Sequence, residues 1–284
     1  MVEMNGKVLR DKKLTELKEK IGELDCQLGL AVIQVGNDEA SKVYVRQKEK
    51  LALELGYKFV HKVFKEDVEQ DKLIRYIKKL NKDESIDGIL VQMPLPKHLD
   101  SSAIQNTIDS YKDVDGLTFI NAGRLVQGMP SLVPCTPKGI IDLLDEHRIK
   151  LEGSQVVVIG RSVLVGKPMA NLLTNRNASV TICHSKTKDI GLYTKNADIV
   201  IVAVGKAGYL KEDMISSGTV VIDVGINRVN GKLYGDVDYE NVSKVASHIT
   251  PVPGGVGPMT VYELMHNVLV AHNLRLKYAK KTSK

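Results

Sequence analysis

A tyrosine and a lysine one helical turn apart carry the first chemical signal in this chain. They lie in Ala40-Ser-Lys-Val-Tyr44-Val-Arg-Gln-Lys48-Glu-Lys-Leu51-Ala-Leu-Glu-Leu55-Gly56, a segment expected to be helical and to stop at Gly56. Positions 44, 48, 51 and 55 then share one face, with Leu51 and Leu55 as core residues. Lys48 falls on that apolar stripe, where lysine is seldom placed without a reason. Burial of an ammonium is costly and lowers the lysine pKa, so a neutral amine there can act as a base. The same period accommodates a lysine that snorkels to water at the edge of the stripe, and Tyr44 alone fits a core position as well as a ligand contact.

Two further segments bring polar groups to chain positions that suit ligand contact. Asp87-Gly-Ile-Leu-Val-Gln92-Met-Pro94-Leu-Pro96 reads as a buried strand ending in a carboxamide and two prolines. An amide at the carboxyl end of a parallel strand can meet a ligand, or can simply cap the strand. Lys112-Asp113-Val-Asp115-Gly116 puts carboxylates in an Asp-Gly turn, a feature that is commonly structural.

A different chemistry is suggested by Val156-Val-Val-Ile-Gly160-Arg-Ser-Val-Leu-Val-Gly166-Lys-Pro, a strand, a glycine turn and a helix start. Backbone N–H groups at such a turn can approach a phosphate closely. Ser162 replaces the second glycine of the usual dinucleotide spacing, so the motif alone fits a ligand-free turn equally well. An NAD site carries an acidic residue about twenty residues on; here the next strand ends in His184-Ser185-Lys186-Thr187. Hydroxyls and a cation suit a 2′-phosphate, with Arg161 and Ser162 in reach, and this favours NADP; Lys186 and Arg161 are otherwise solvated surface charges.

These residues need elements to hold them. Short apolar runs alternate with helical patterns, which indicates βαβ units and parallel sheets. Strands are expected over residues 30–35, 57–63 and 88–92, with helices over 40–55 and 70–80. After a junction at Pro130, Pro134 and Pro137, a helix over 138–146 is followed by strands at 156–159, 179–183, 199–204 and 220–224 and a helix at 166–175. An irregular Pro251-Val-Pro-Gly-Gly-Val-Gly-Pro258 precedes a final apolar helix, about 260–276.

Composition narrows the function classes. The chain has 284 residues, a formal charge of +6 and a dispersed set of 40 Lys and Arg, dense locally only over 277–284. With 5% aromatics and no Trp it has no stacking platform for bases, so no nucleic-acid role is expected. Cys26, Cys135 and Cys183 are far apart and no histidines stand at ligand spacing, so neither a metal nor a disulfide framework is expected. No run of eighteen apolar residues and no apolar leader occur, so no membrane association is expected and a cytoplasmic location is.

Read together, the motifs resemble one family, the bifunctional methylenetetrahydrofolate dehydrogenase/methenyltetrahydrofolate cyclohydrolases of FolD type. Besides the strings above, Pro134-Cys-Thr-Pro137 and Thr250-Pro-Val-Pro-Gly-Gly-Val-Gly-Pro-Met-Thr260 match in order and spacing. The resemblance implies an α/β protein of two domains around a cleft, the second a Rossmann-like doubly wound parallel sheet. It sets a folate-binding catalytic domain at 1–136 plus a C-terminal helix at 259–284, and an NADP-binding domain at 137–258. It implies a homodimer acting on tetrahydrofolate one-carbon derivatives. Lys48 would be the essential cyclohydrolase residue with Gln92 as its partner, Tyr44 would stack on the folate and Asp115 would anchor the pterin, these four forming the catalytic set. Val91, Met93 and the Pro253-Gly254-Gly255-Val256-Gly257 loop would add substrate contacts, and Gly160, Arg161, Ser162, Ser185 and Ile226 would hold the dinucleotide. Val163 and Leu164 stand where the family often has Asn-Ile, and Met93 where it often has Leu.

Overall fold

A computed structural model describes residues 1–282; Ser283 and Lys284, the end of the helix expected over 259–284, lie outside the described residues. In chain order the elements begin with β1 (Val2–Glu3), α1 (Gly6–Gly22), β2 (Gly29–Val35), α2 (Glu39–Glu54), β3 (Lys58–Phe64), α3 (Gln70–Lys82) and β4 (Gly88–Val91). Next come α4 (Ser101–Gln105), α5 (Phe119–Val126), α6 (Cys135–Glu146), β5 (Gln155–Ile159), α7 (Gly166–Thr174), β6 (Ser179–Cys183) and α8 (Gly191–Thr194). The chain finishes with β7 (Ile199–Val202), β8 (Val220–Asp223), β9 (Asn227–Val229), β10 (Lys232–Tyr234), α9 (Tyr239–Val242), β11 (His248–Ile249) and α10 (Val256–Thr282).

These elements form two compact units. The small-sheet unit comprises Thr15–Val133 and the chain from Leu264 onward. Its three parallel strands run in the order β3-β2-β4. Every residue of β2 is buried, as expected of a central parallel strand read as Gly-Leu-Ala-Val-Ile-Gln-Val. Leu73, Ile77 and Leu80 of α3 recur at helical spacing and join Ile33, Ile89 and Val91 in the core. Asp38 caps α2 by accepting the Ser41 N–H at 2.7 Å, and Gly56 follows the C-cap Leu55.

The large-sheet unit comprises Met1–Leu14 and Pro134–Glu263. Its six strands, in the order β1-β11-β8-β7-β5-β6, are all parallel. Val157, Ile159, Val200, Val202 and Val221 fill its core. The expected boundary placed all of residues 1–136 with the other sheet. Instead Met1–Leu14 group here, because Val2 and Glu3 pair with His248 and Ile249 and Met4 N–H donates to the Ile249 carbonyl at 2.8 Å. The last helix likewise starts earlier than expected, and its first turns, up to Glu263, belong to this unit.

Candidate active site

In the small sheet β3 and β4 lie on opposite sides of β2, so the strand order reverses between β2 and β4. Ligands of open parallel sheets bind outside the carboxyl ends of strands at such a reversal. Gln92 stands there, one residue past β4, with its backbone N–H donating to the Ile33 carbonyl at 2.8 Å. Its carboxamide Nε2 donates to the Met93 carbonyl at 2.7 Å, which leaves Oε1 to accept from Lys48 Nζ at 2.8 Å. The structure thus brings together Lys48 and Gln92, 44 residues apart, through a carboxamide whose two ends are both engaged. Met93 is half-buried, whereas the Val91 side chain is fully inside the core, so Val91 can offer a ligand only its backbone.

The face of α2 differs from the expected one by about one position. Ser41, Val45, Ala52 and Leu55 are its buried residues, Lys48 is half-buried on the same line, and Leu51 is only half-buried. Tyr44 is 48% exposed, one turn before Lys48. Its ring stands in solvent at the edge of the stripe, an arrangement that leaves an aromatic face available to a planar ligand.

The two carboxylates of Asp113-Val-Asp115-Gly116 have different surroundings. Asp113 is fully buried and accepts from Gln105 Nε2 at 3.1 Å, Thr118 N–H at 2.8 Å and Asn121 Nδ2 at 2.9 Å. It is a brace of the turn. Asp115 is half-buried, two residues on. The turn is tied down at both sides: Lys112 Nζ donates to the carbonyls of Leu80 and Asp83 at 3.0 and 2.7 Å, and Asn267 Nδ2 donates to those of Val114 and Val133 at 2.8 and 2.9 Å. Burial pushes the Lys112 amine down to about 8, with Arg275 nearby acting in the same direction.

In the large sheet the order reverses between β5 and β7. Gly160 ends β5 there, at φ +133°, and a Cβ on it would sit 2.4 Å from the Ala203 carbonyl oxygen after β7. Only glycine lets the two strand ends approach this closely. Ser162 Oγ accepts the N–H groups of Val165 at 3.1 Å and Gly166 at 3.5 Å, forming the turn into α7. Arg161, Ser185 and Lys186 are exposed, and Ser185 lies in a turn closed by His184 N–H donating to Thr187 Oγ1 at 2.9 Å. Ile226 is 54% exposed beside Gly257, so the Ile226 side chain and the Pro253–Gly257 segment meet within this unit. That segment is held by Lys7 N–H donating to the Gly254 carbonyl at 3.1 Å, and Val256 and Gly257 already begin α10.

Two residues absent from the expected site organise the loops at these strand ends. Asp236 accepts from the N–H groups of Val204, Gly205 and Lys206 at 2.6, 2.9 and 2.8 Å and from Asn227 Nδ2 at 2.8 Å. Asp223 accepts from the N–H groups of Gly225, Asp236 and Val237 at 3.0, 2.8 and 3.0 Å. Burial pushes the Asp223 carboxyl up to about 6; its three N–H donors oppose that, and the neighbouring Asp236 charge adds to it. The only sequence signal for Asp236 is an acidic residue after glycine in Gly235-Asp236-Val237, which reads as an ordinary turn.

Comparison with known proteins matches two family models. Residues 4–115 match the tetrahydrofolate dehydrogenase/cyclohydrolase catalytic domain, and residues 134–276 match the NAD(P)-binding domain of the same family. The bifunctional protein FolD of Acetivibrio thermocellus is 50% identical over 278 residues, covering 96% of this chain and 98% of that protein. The crystal structure of the Campylobacter jejuni FolD methylenetetrahydrofolate dehydrogenase/cyclohydrolase is 47% identical with a TM-score of 0.95, covering 97% and 99% of the two chains. A Trypanosoma brucei FolD structure complexed with NADP cofactor and inhibitor is 36% identical with a TM-score of 0.92, covering 97% of this chain and 98% of that one.

Proposed function

The chain belongs to the tetrahydrofolate dehydrogenase/cyclohydrolase family, and from that premise we propose how its residues divide two consecutive reactions. The enzyme oxidises 5,10-methylenetetrahydrofolate to the 5,10-methenyl cation with NADP and hydrolyses that cation to 10-formyltetrahydrofolate. Tyr44 stacks on the folate and Asp115 accepts the amidine-like N–H groups of the pterin, with Asp113 bracing the turn beneath it. Val91 and Met93 add contacts, Val91 through its backbone.

The dinucleotide fits the strand ends of the large sheet, where Gly160 lets the ends of β5 and β7 approach closely and Ser162 shapes the turn into α7, whose first N–H groups suit a pyrophosphate. Arg161 and Ser185 are the exposed groups suited to a 2′-phosphate, and Ile226 supplies an apolar contact. A dinucleotide held there would supply the hydride acceptor for the methylene carbon. The residues around it orient and desolvate; positioning is most of what the protein contributes to that step.

For the second step, water adds to a carbon whose positive charge is spread over two nitrogens. Lys48 takes the proton of that water as a neutral amine, since an ammonium would be repelled by the substrate cation. Collapse of the adduct breaks one C–N bond as the C=O bond forms; the departing nitrogen takes up the proton that the adduct's hydroxyl gives up, and the formyl group stays on the other nitrogen. The observation that carries this assignment is the 2.8 Å contact from Lys48 Nζ to a Gln92 oxygen that is itself fixed in direction by the Met93 carbonyl. One N–H is thereby committed and the amine is held in place.

The test is purified protein with methylenetetrahydrofolate, comparing NADP⁺ with NAD⁺ and following both products. Formyl product accumulating behind the methenyl absorbance, faster with NADP⁺, supports the proposal; arrest at methenyl removes the cyclohydrolase half. We further propose a cytoplasmic homodimer. No helix among the described residues is long and apolar enough to cross a membrane, and light scattering at low micromolar concentration tests the dimer.

A further inference from the structure

A second cluster of reactive groups lies at the opposite end of the small sheet. Asp87 immediately precedes β4 and Gln92 follows it, so the two are separated by about 16 Å of extended chain. Cys26 is exposed in the loop between α1 and β2, and its Sγ is 3.6 Å from His272 Nε2. The other ring nitrogen of His272, Nδ1, is 3.0 Å from Asp87 Oδ1. A carboxylate only accepts, so Nδ1 carries the hydrogen and Nε2 of the neutral ring presents its lone pair to the thiol.

The third member of this relay is rigidly held. The Asp87 side chain is 5% exposed; its Oδ2 accepts the Gly29 N–H at 2.9 Å, and its Oδ1 also accepts from Arg275 Nη1 at 2.9 Å. Once the thiol proton moves to Nε2, Cys26, Asp87, His272 and Arg275 carry two charges of each sign. The cluster opens into a cavity of about 660 Å³ that the Tyr111 and Tyr278 rings, 4.9 Å apart, also line. Around it, Asp25 and Glu84 are exposed acids, Lys58 is held on Ser85 Oγ at 2.7 Å, and Lys112 faces Arg275.

We propose that Cys26, His272 and Asp87 form a thiol site that undergoes exchange with low-molecular-weight disulfides. His272 takes the S–H proton, and the Cys26 thiolate attacks one sulfur of the disulfide. The S–S bond of the reagent breaks as the mixed disulfide on Cys26 forms. The departing thiolate takes the proton, so the protein thiol is oxidised and the disulfide reduced with no other reactant. Acyl transfer would additionally need oriented N–H donors for an oxyanion; exchange needs only a thiolate, access and space.

The experiment measures alkylation of the folded protein by iodoacetamide and adduct formation with oxidised glutathione, from pH 6 to 9. Cys135 and Cys183 are buried, so the fast thiol is Cys26. At pH 6.5 it reacts about ten-fold faster than free cysteine. Cys26→Ser removes the glutathione adduct while both folate activities stay unchanged. His272→Gln returns the rate to that of free cysteine. Free-cysteine behaviour in the unsubstituted protein, or an unchanged rate in a folded His272→Gln, overturns the proposal. If His272→Gln does not fold, the rate of the unsubstituted protein against that of free cysteine decides alone.

Discussion

At the scale of single residues, Lys48→Met keeps most of the apolar stem and removes only the amine that Gln92 orients. The expected outcome is loss of cyclohydrolase activity by at least ~10²-fold with measurable dehydrogenase activity, read as methenyl product that accumulates. Full hydrolysis by this variant would take Lys48 out of the mechanism. The two carboxylates of the 113–116 turn separate in the same way. Asp115→Asn is expected to weaken folate binding by about 1.5–3 kcal/mol, the range for a hydrogen bond to a charged group, with the melting temperature unchanged. Asp113→Asn should do the reverse and lower stability, because its buried oxygens take three donors; equal effects of the two changes on folate affinity would contradict the division. The sequence distinguishes neither carboxylate, since both sit in one polar turn. It does locate Lys48 on the inner side of α2 and Leu55 in the core, but the helical period misses Val45 and Ala52 by one position, and the structure puts Tyr44 out in solvent rather than on the inner face.

At the scale of elements, Asn267 of α10 links the last helix to the substrate turn through the Val114 carbonyl and to the chain before α6 through that of Val133. Asn267→Ala removes both hydrogen bonds, at a cost of about 1–3 kcal/mol in denaturant unfolding. Because Val114 precedes Asp115, the KM for folate should rise as well; a stability loss with KM unchanged would show that the helix does not position the turn. Elements with a strong period were legible: α3 and the buried strands β2, β4, β5, β7 and β8 lie within a residue or two of their expected bounds. Others left little to read. Helix α1 buries fully only Leu9 and Leu17 among its apolar side chains and exposes Val8, so its stripe is too thin to register. Strands of two residues such as β1 and β11 have no period at all. The β9–β10 hairpin did carry a signal, Asn230-Gly231, whose φ values of 49° and 78° suit the primed turns such a dipeptide favours.

At the scale of the whole molecule, Asp223 contributes to pH-dependent stability. Its folded pKa is raised from 3.8 to about 6, so the folded state keeps a proton that the unfolded chain releases between those values. The stability it contributes is present below about pH 4 and is lost as pH rises through about 6, on the order of 3 kcal/mol at most. Subtracting the unfolding free energies of Asp223→Asn from those of the unsubstituted protein over pH 4 to 7 should give that downward slope; a flat difference would contradict it. The net charge of +6 has a separate consequence for anionic substrates. kcat/KM for a polyglutamylated folate should fall with ionic strength more steeply than for the monoglutamate, and parallel salt curves would exclude steering. The pairing of β1 with β11 also sets a timetable for synthesis. Val2 leaves the ribosome well before its partner His248, which follows roughly 245 residues later, about 12 to 50 s at ordinary elongation rates. The small-sheet unit likewise waits for the chain beyond Leu264. Neither unit can be completed during translation of its own middle, and both close only as the last helix emerges, leaving the nascent chain dependent on whatever shields its apolar strands until then.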